Sequence, residues 1–199
     1  MKLIIVLCIS LVMAATCAQG AASTNSYQRP ANFVYPMERC HIRISTAPKR
    51  WFSPDGKYGT YMFDNGKYGA AWGFSLTCQA GASQDEIDTT LDAKQVNGRW
   101  LWVDGGSVFE EDQHFHIFFL AGKNWTGTGT TYDQTTGDES TRQRYFQFCL
   151  VETHWPQMLC GREGVSLYDD VELNRILAVL KTIEFVDPPA ANPDSTSGH

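Results

Sequence analysis

Residues 141–186 read TRQRYFQFCLVETHWPQMLCGREGVSLYDDVELNRILAVLKTIEFV, and the patterns along this stretch decide the fold. Phe146, Phe148 and Leu150 alternate with Tyr145, Gln147 and Cys149 until Trp155-Pro156 breaks the run, which is the period of a strand. Folding the segment about Thr153, His154, Trp155 and Pro156 sets Leu150 opposite Leu159 and Cys149 opposite Cys160. Facing positions of a hairpin bring Cα atoms within about 7 Å, so a Cys149–Cys160 disulfide is expected. Farther on, Leu173, Ile176, Leu177 and Leu180 share one face of a helix. Asp169 or Asp170 can cap it, and Glu172 follows Asp169 by three residues as in a capping box. Thr182 to Val186 reads as a short closing strand.

The ends of the chain are of a different kind. Residues 1–22 carry one lysine, an apolar run from Leu3 to Ala15 and small residues after it, the pattern of a secretory signal peptide and too short for a span of about 20 residues. A periplasmic or secreted protein is expected. Cleavage after Ala18 or Gly20 removes Cys8 and Cys17 and leaves Cys40, Cys78, Cys149 and Cys160, an even set that suits an oxidising compartment. Cleavage before Cys17 would instead leave a lipid anchor there, but Thr16 fits that signal poorly, and ordinary cleavage is the expectation. With Cys149 assigned to Cys160, Cys40 is left with Cys78, and each bridge adds about 2–4 kcal/mol. Residues 23–39 read as an extended lead-in with Pro30 and Pro36, residues 40–186 as one domain, and 187–199 as a disordered tail with nothing to bury.

Within the domain, Cys40 to Thr46 alternates Ile42 and Ile44 with polar residues, a first strand. Tyr58–Phe63 and Tyr68–Leu76 flank Asn65-Gly66, a dipeptide that tolerates a two-residue hairpin turn and would place Phe63 opposite Tyr68. Trp72, Phe74, Leu76 and Cys78 then share the core face. Ser83 with Glu86 is a capping box for a helix over 83–94, ended by Asn97-Gly98. Trp100–Val103 and Phe115–Leu120 read as strands, the second apolar on both faces and so central. Residues 122–140, GKNWTGTGTTYDQTTGDES, read as a flexible loop or a solvent-facing hairpin. The fold class is α+β: an antiparallel sheet of about six or seven strands with two helices packed on it, stapled by disulfides.

Little here assembles chemistry. No G-x-S-x-G occurs, the cysteines are better used as bridges, and no carboxylate pair is placed in an apolar cleft, so no catalytic residue and no cofactor is assigned. His114 and His116, two apart on a strand and preceded by Glu110, Glu111 and Asp112, share a face that would suit zinc and would make the chain a metal-binding envelope protein or a metal-dependent enzyme, the alternative being a plain polar face. Asn124-Trp125-Thr126 is a glycosylation sequon. The net charge of −6 becomes −7 when Lys2 leaves, and no block of like charge marks a nucleic-acid surface. Trp155 at a hairpin tip and Trp125 at a loop entrance are candidate anchors for a protein partner, the alternative being that both fold back onto the core.

The early hairpin, the mid-chain helix and the closing LNRILAVLKTIEF resemble in layout the PsbP-like α/β/α sandwich of small exported proteins, a layout shared by some periplasmic immunity proteins that neutralise type VI secretion effectors. The resemblance covers residues 40–186, rests on order and spacing, and carries over no functional residue; the two disulfides and the Thr/Gly stretch depart from it. It implies a non-enzymatic exported binding protein, most concretely an immunity protein that occludes a secreted effector toxin. Its contacts would come from Trp155, His154, Trp125, Asp133, Asp138 and Glu139.

Overall fold

A computed structural model describes residues 33–37, 40–46, 48, 50–52, 56–63, 72–103, 113–154 and 157–187. The signal peptide, most of the tail, Asn65-Gly66, Glu110, Glu111, Asp112 and Trp155 lie outside the described residues. The hairpin that organises the sequence is β10 (Arg144–Glu152) against β11 (Gln157–Val165), with Leu150 opposite Leu159 and Cys149 opposite Cys160. A Cys149–Cys160 bridge joins that pair across a Cα separation of 4.1 Å, close to the approach of a non-hydrogen-bonded antiparallel pair, about 4.5 Å.

This hairpin is the middle of a seven-stranded antiparallel sheet. On one side lie β5 (Trp72–Ala80), β4 (Tyr58–Phe63) and β3 (Arg50–Phe52); on the other, β9 (Trp125–Asp133) and the edge strand β8 (His116–Ala121). Alternation gives the sheet two different faces. Phe74, Leu76, Phe146, Phe148, Leu150 and Leu159 form the main core face. Against it pack α2 (Val171–Leu180), through Leu173, Ile176, Val179 and Leu180, and a separate three-stranded sheet of β1 (Val34–Pro36), β2 (His41–Ile44) and β12 (Ile183–Val186). Cys40, just before β2, is bridged to Cys78 of β5, so the second disulfide ties the small sheet to the large one. Cys149, Met158 and Cys160 point to the opposite face, beneath Leu91, Ala93 and the partly buried Ile87. These belong to α1 (Gln84–Thr90) and the residues after it, which lead into a hairpin of β6 (Ala93–Val96) and β7 (Arg99–Trp102). The described residues are therefore α+β and antiparallel, with two α-helices and two disulfides among them.

Several local expectations are corrected. The first helix stops at Thr90, because Asp92 takes a positive φ of 47° and the chain reverses into β6. Asn97-Gly98, with φ values of 51° and 78°, is a hairpin turn and not a helix end. Phe63 pairs with Trp72, not Tyr68, stacking on it at 4.5 Å under the Arg175 guanidinium; the offset of four residues is even, so Trp72, Phe74, Leu76 and Cys78 keep the core face. Finally, Trp125–Asp133 is neither a flexible loop nor a solvent-facing hairpin but an inner strand, with Thr130 and Thr131 buried. Its glycines are spaced for packing: a Cβ on Gly129 would meet Phe146 Cε2 at 2.9 Å, and one on Gly127 would meet the Cys149 carbonyl oxygen at 2.4 Å. Because β9 takes the inner place, β8 is an edge strand and not a central one, and its Phe119 is 81% exposed. Val34–Pro36, inside the stretch read as a lead-in, extends the domain toward the N-terminus, with Tyr35 fully buried.

Candidate functional site

β9 and β10 run antiparallel over nine residues each, and this divides the expected partner-binding residues between two ends of the sheet. Trp125 pairs with Glu152 at one end, beside His154, while Asp133 pairs with Arg144 at the other, with Asp138 and Glu139 just beyond. Eight residue steps of about 3.3 Å put roughly 26 Å between the ends. The residues expected to form one contact surface do not form one.

At the first end, Trp125 is no surface anchor. It is 1% exposed, and its Nε1 donates to the Ile183 carbonyl at 2.8 Å. Asn124 Nδ2 donates to the Phe185 carbonyl at 2.8 Å, and its Oδ1 accepts from Phe185 N at 3.1 Å. Together the two side chains close the outer edge of β12, in the manner of a neighbouring strand. The sequon asparagine therefore acts as a structural clamp. Glu184, between those contacts, accepts from Lys123 at 2.6 Å and Arg43 at 3.0 Å, and both partners hold its carboxyl below the usual range against the opposing effect of burial. His154 is exposed, its Nδ1 2.9 Å from the Thr153 hydroxyl.

The second end is built on a charged network. Arg144 grips Asp133 with two bonds, Nε to Oδ1 at 2.6 Å and Nη2 to Oδ2 at 3.2 Å, and reaches Asp170 with Nη1 at 2.9 Å. His114 Nδ1 lies 2.9 Å from Asp133 Oδ2. Asp133 is 7% exposed, so it is an internal post for Arg144 and His114 and not a contact for a partner. Burial raises its carboxyl, but the Arg144 and His114 hydrogen bonds outweigh that and leave it below the ordinary range. His114 precedes β8 with φ at 48°, so it does not continue the strand face of His116. Among the described residues, no three of His, Cys, Asp and Glu gather into a metal-binding set.

Two connections leave this end side by side. Between β9 and β10, Asp138 Oδ1 accepts from Ser140 N at 2.9 Å and from the Ser140 hydroxyl at 2.8 Å, which holds the exposed carboxyl low, and Glu139 follows it, exposed. Between β11 and α2, Ser166 N donates to Glu172 at 2.8 Å, Tyr168 N to Ser166 Oγ at 3.3 Å, and Val171 N to Asp169 Oδ1 at 3.1 Å. Asp170, the residue before α2, makes no side-chain cap bond, because its carboxylate serves Arg144. The loop so tied presents Tyr168 at 79% exposure, and the first residue of α2, Val171, is 62% exposed. No family model, curated protein or solved structure matches the chain. What this end can do rests on its own geometry: Tyr168 on the tied loop and Val171 at the first position of α2 stand outward, with Asp169 and Asp170 between them in the chain.

The sequence reading missed Tyr168, Val171 and Arg144. A signal existed for Val171, which lies off the Leu173–Ile176–Leu180 stripe at the first position of the helix. None existed for Arg144, whose role depends on Asp133 and Asp170 arriving from separate elements. No helix among the described residues is long and apolar enough to cross a membrane, and the two disulfides suit an oxidising compartment.

Proposed function

We propose that the chain is an exported, non-enzymatic protein-binding module whose acidic end receives a basic surface of a protein partner. In its most concrete form it is an immunity protein that occludes an effector toxin in the periplasm. The observation that carries the reading is the pair Tyr168 and Val171, exposed where a loop tied down by Ser166, Asp169 and Glu172 enters α2. A tyrosine held in place costs little ordering entropy on binding and is a frequent centre of interface energy. The surrounding carboxylates would steer a cationic partner and weaken with salt, in keeping with the net charge of −6.

The test is capture of partners by the mature, oxidised protein from an envelope extract of its source, followed by calorimetry with the protein identified. Tyr168→Ala combined with Val171→Ser is expected to weaken that complex by tenfold or more, about 1.4 kcal/mol, with the melting temperature held. Unchanged affinity, or a captured partner that presents an acidic face, would remove this surface from the proposal.

A further inference from the structure

We propose that β8 is a homodimer edge, on which two copies of the chain pair antiparallel with Phe119 opposite its own mate. The direction of the backbone groups follows from the turn after the strand. Gly122 N donates to the Trp125 carbonyl at 3.0 Å, closing a two-residue turn, so Gly122 and Trp125 form a hydrogen-bonded pair. Such pairs alternate along an antiparallel ladder. With the β8–β9 register, His116, Phe118 and Leu120 turn their N–H and C=O groups toward β9, while Ile117, Phe119 and Ala121 turn theirs outward. The Cys149–Cys160 bridge agrees: it occupies a non-hydrogen-bonded pair, and counting across β10 and β9 from Cys149 to Thr128 reaches Phe119 as an outward residue.

Among the described residues, no strand lies on the outer side of β8. Its sequence, HIFFLA, carries none of the guards that usually blunt an edge: no proline, lysine or carboxylate. The opposite edge, β3, is only three residues long, and the outer edge of β12 is closed by Asn124 and Trp125. The occupant is a second copy because the outward groups are self-complementary. A two-fold axis through Phe119 makes it a hydrogen-bonded pair with its mate and sets Ile117 opposite Ala121, large against small, on both sides. Phe119, 81% exposed in one copy, would be covered by the same side chain of the other, and no charge on the strand favours an ionic partner. Antiparallel pairing sends the two acidic ends in opposite directions, so this inference stands whether or not the proposed function does.

The experiment is sedimentation of the mature, oxidised chain over a dilution series, with hydrogen exchange of the Ile117, Phe119 and Ala121 amides. A monomer–dimer equilibrium is expected, with those amides protected only in the dimer. Phe119→Lys should weaken dimerisation by about tenfold or more and leave the melting temperature of the monomer in place, since the side chain is exposed. Phe119→Cys should cross-link across the axis, where facing Cα atoms lie about 5.5 Å apart, and Ala121→Cys should not. A chain monomeric at every concentration, amides protected in the monomer, a dimer indifferent to Phe119→Lys, or cross-linking by Ala121→Cys would each overturn the proposal.

Discussion

Glu163 is a carboxylate whose surroundings oppose its charge. It lies on the main core face of β11, directly across from Phe146, and burial lifts its carboxyl to about 7; the Gly164 amide works the other way, and the nearby Glu172 adds to the rise. The folded state thus keeps a proton that the unfolded chain releases near pH 4.3. Between roughly pH 4.3 and 7 the unfolded state binds fewer protons than the folded one, so stability falls as pH rises and levels off above about 7. The shift sets an upper figure of about 4 kcal/mol, and partial exposure reduces it to roughly 1–2 kcal/mol. Glu163→Gln should therefore be close to neutral below the window and stabilising above it. Urea unfolding of both proteins on either side of the window measures this, and a difference that does not grow with pH would show that water reaches the carboxylate. Asp133 behaves in the opposite sense: its lowered carboxyl contributes stability that is lost only in acid, below this window.

The strands hold together through hollows as much as through bulk. Gly161 of β11 sits between Phe148 and β5, where a Cβ would come within 2.4 Å of both Phe148 Cζ and the Ser75 carbonyl oxygen. The ring could swing aside, but the carbonyl belongs to the ladder and cannot. Gly161→Ala should cost about 2–3 kcal/mol as an overpacking change, read as a lower urea midpoint; an unchanged midpoint would mean that the β5–β11 spacing can give. The same logic explains which elements were legible in the sequence. β10, β11 and α2 were readable because their apolar residues recur at the strand and helix periods, and the cysteine register followed from them. β9 was not, because Gly127 and Gly129 occupy the core-facing positions where the alternation rule looks for large residues, leaving a stretch that resembles a loop. β8 was misplaced for the complementary reason: its outward Phe119 made both faces apolar, the mark of a buried strand. The end-of-sheet site was hardest to foresee, since Arg144, Asp133 and Asp170 meet only after three separate segments have folded.

For the whole molecule, the decisive feature is that the small sheet is assembled from both ends of the domain. β1 and β2 come first, β12 comes last, and β12 pairs with β2 across most of the chain. Nothing local dictates that pairing, which is why a single sheet was expected where two face each other. Its attachment rests on the buried core beneath it, on the Asn124 and Trp125 clamp, and on the Cys40–Cys78 bridge to β5. The two disulfides should therefore differ in value. Cys40–Cys78 closes 38 residues and Cys149–Cys160 closes 11, so chain entropy alone gives about 4 and about 3 kcal/mol at 25 °C. The structure widens the gap, because the 149–160 segment is a hairpin already held by its ladder, whereas Cys40 and Cys78 belong to different sheets. Replacing Cys40 and Cys78 with alanine should lower the urea midpoint more than replacing Cys149 and Cys160. It should also speed exchange of the β2 and β12 amides ahead of those in β10 and β11, since the small sheet would lose its disulfide to β5. Equal losses, or an earlier opening of the β10–β11 hairpin, would mean that the clamp from Asn124 and Trp125 holds the two sheets together without the bridge.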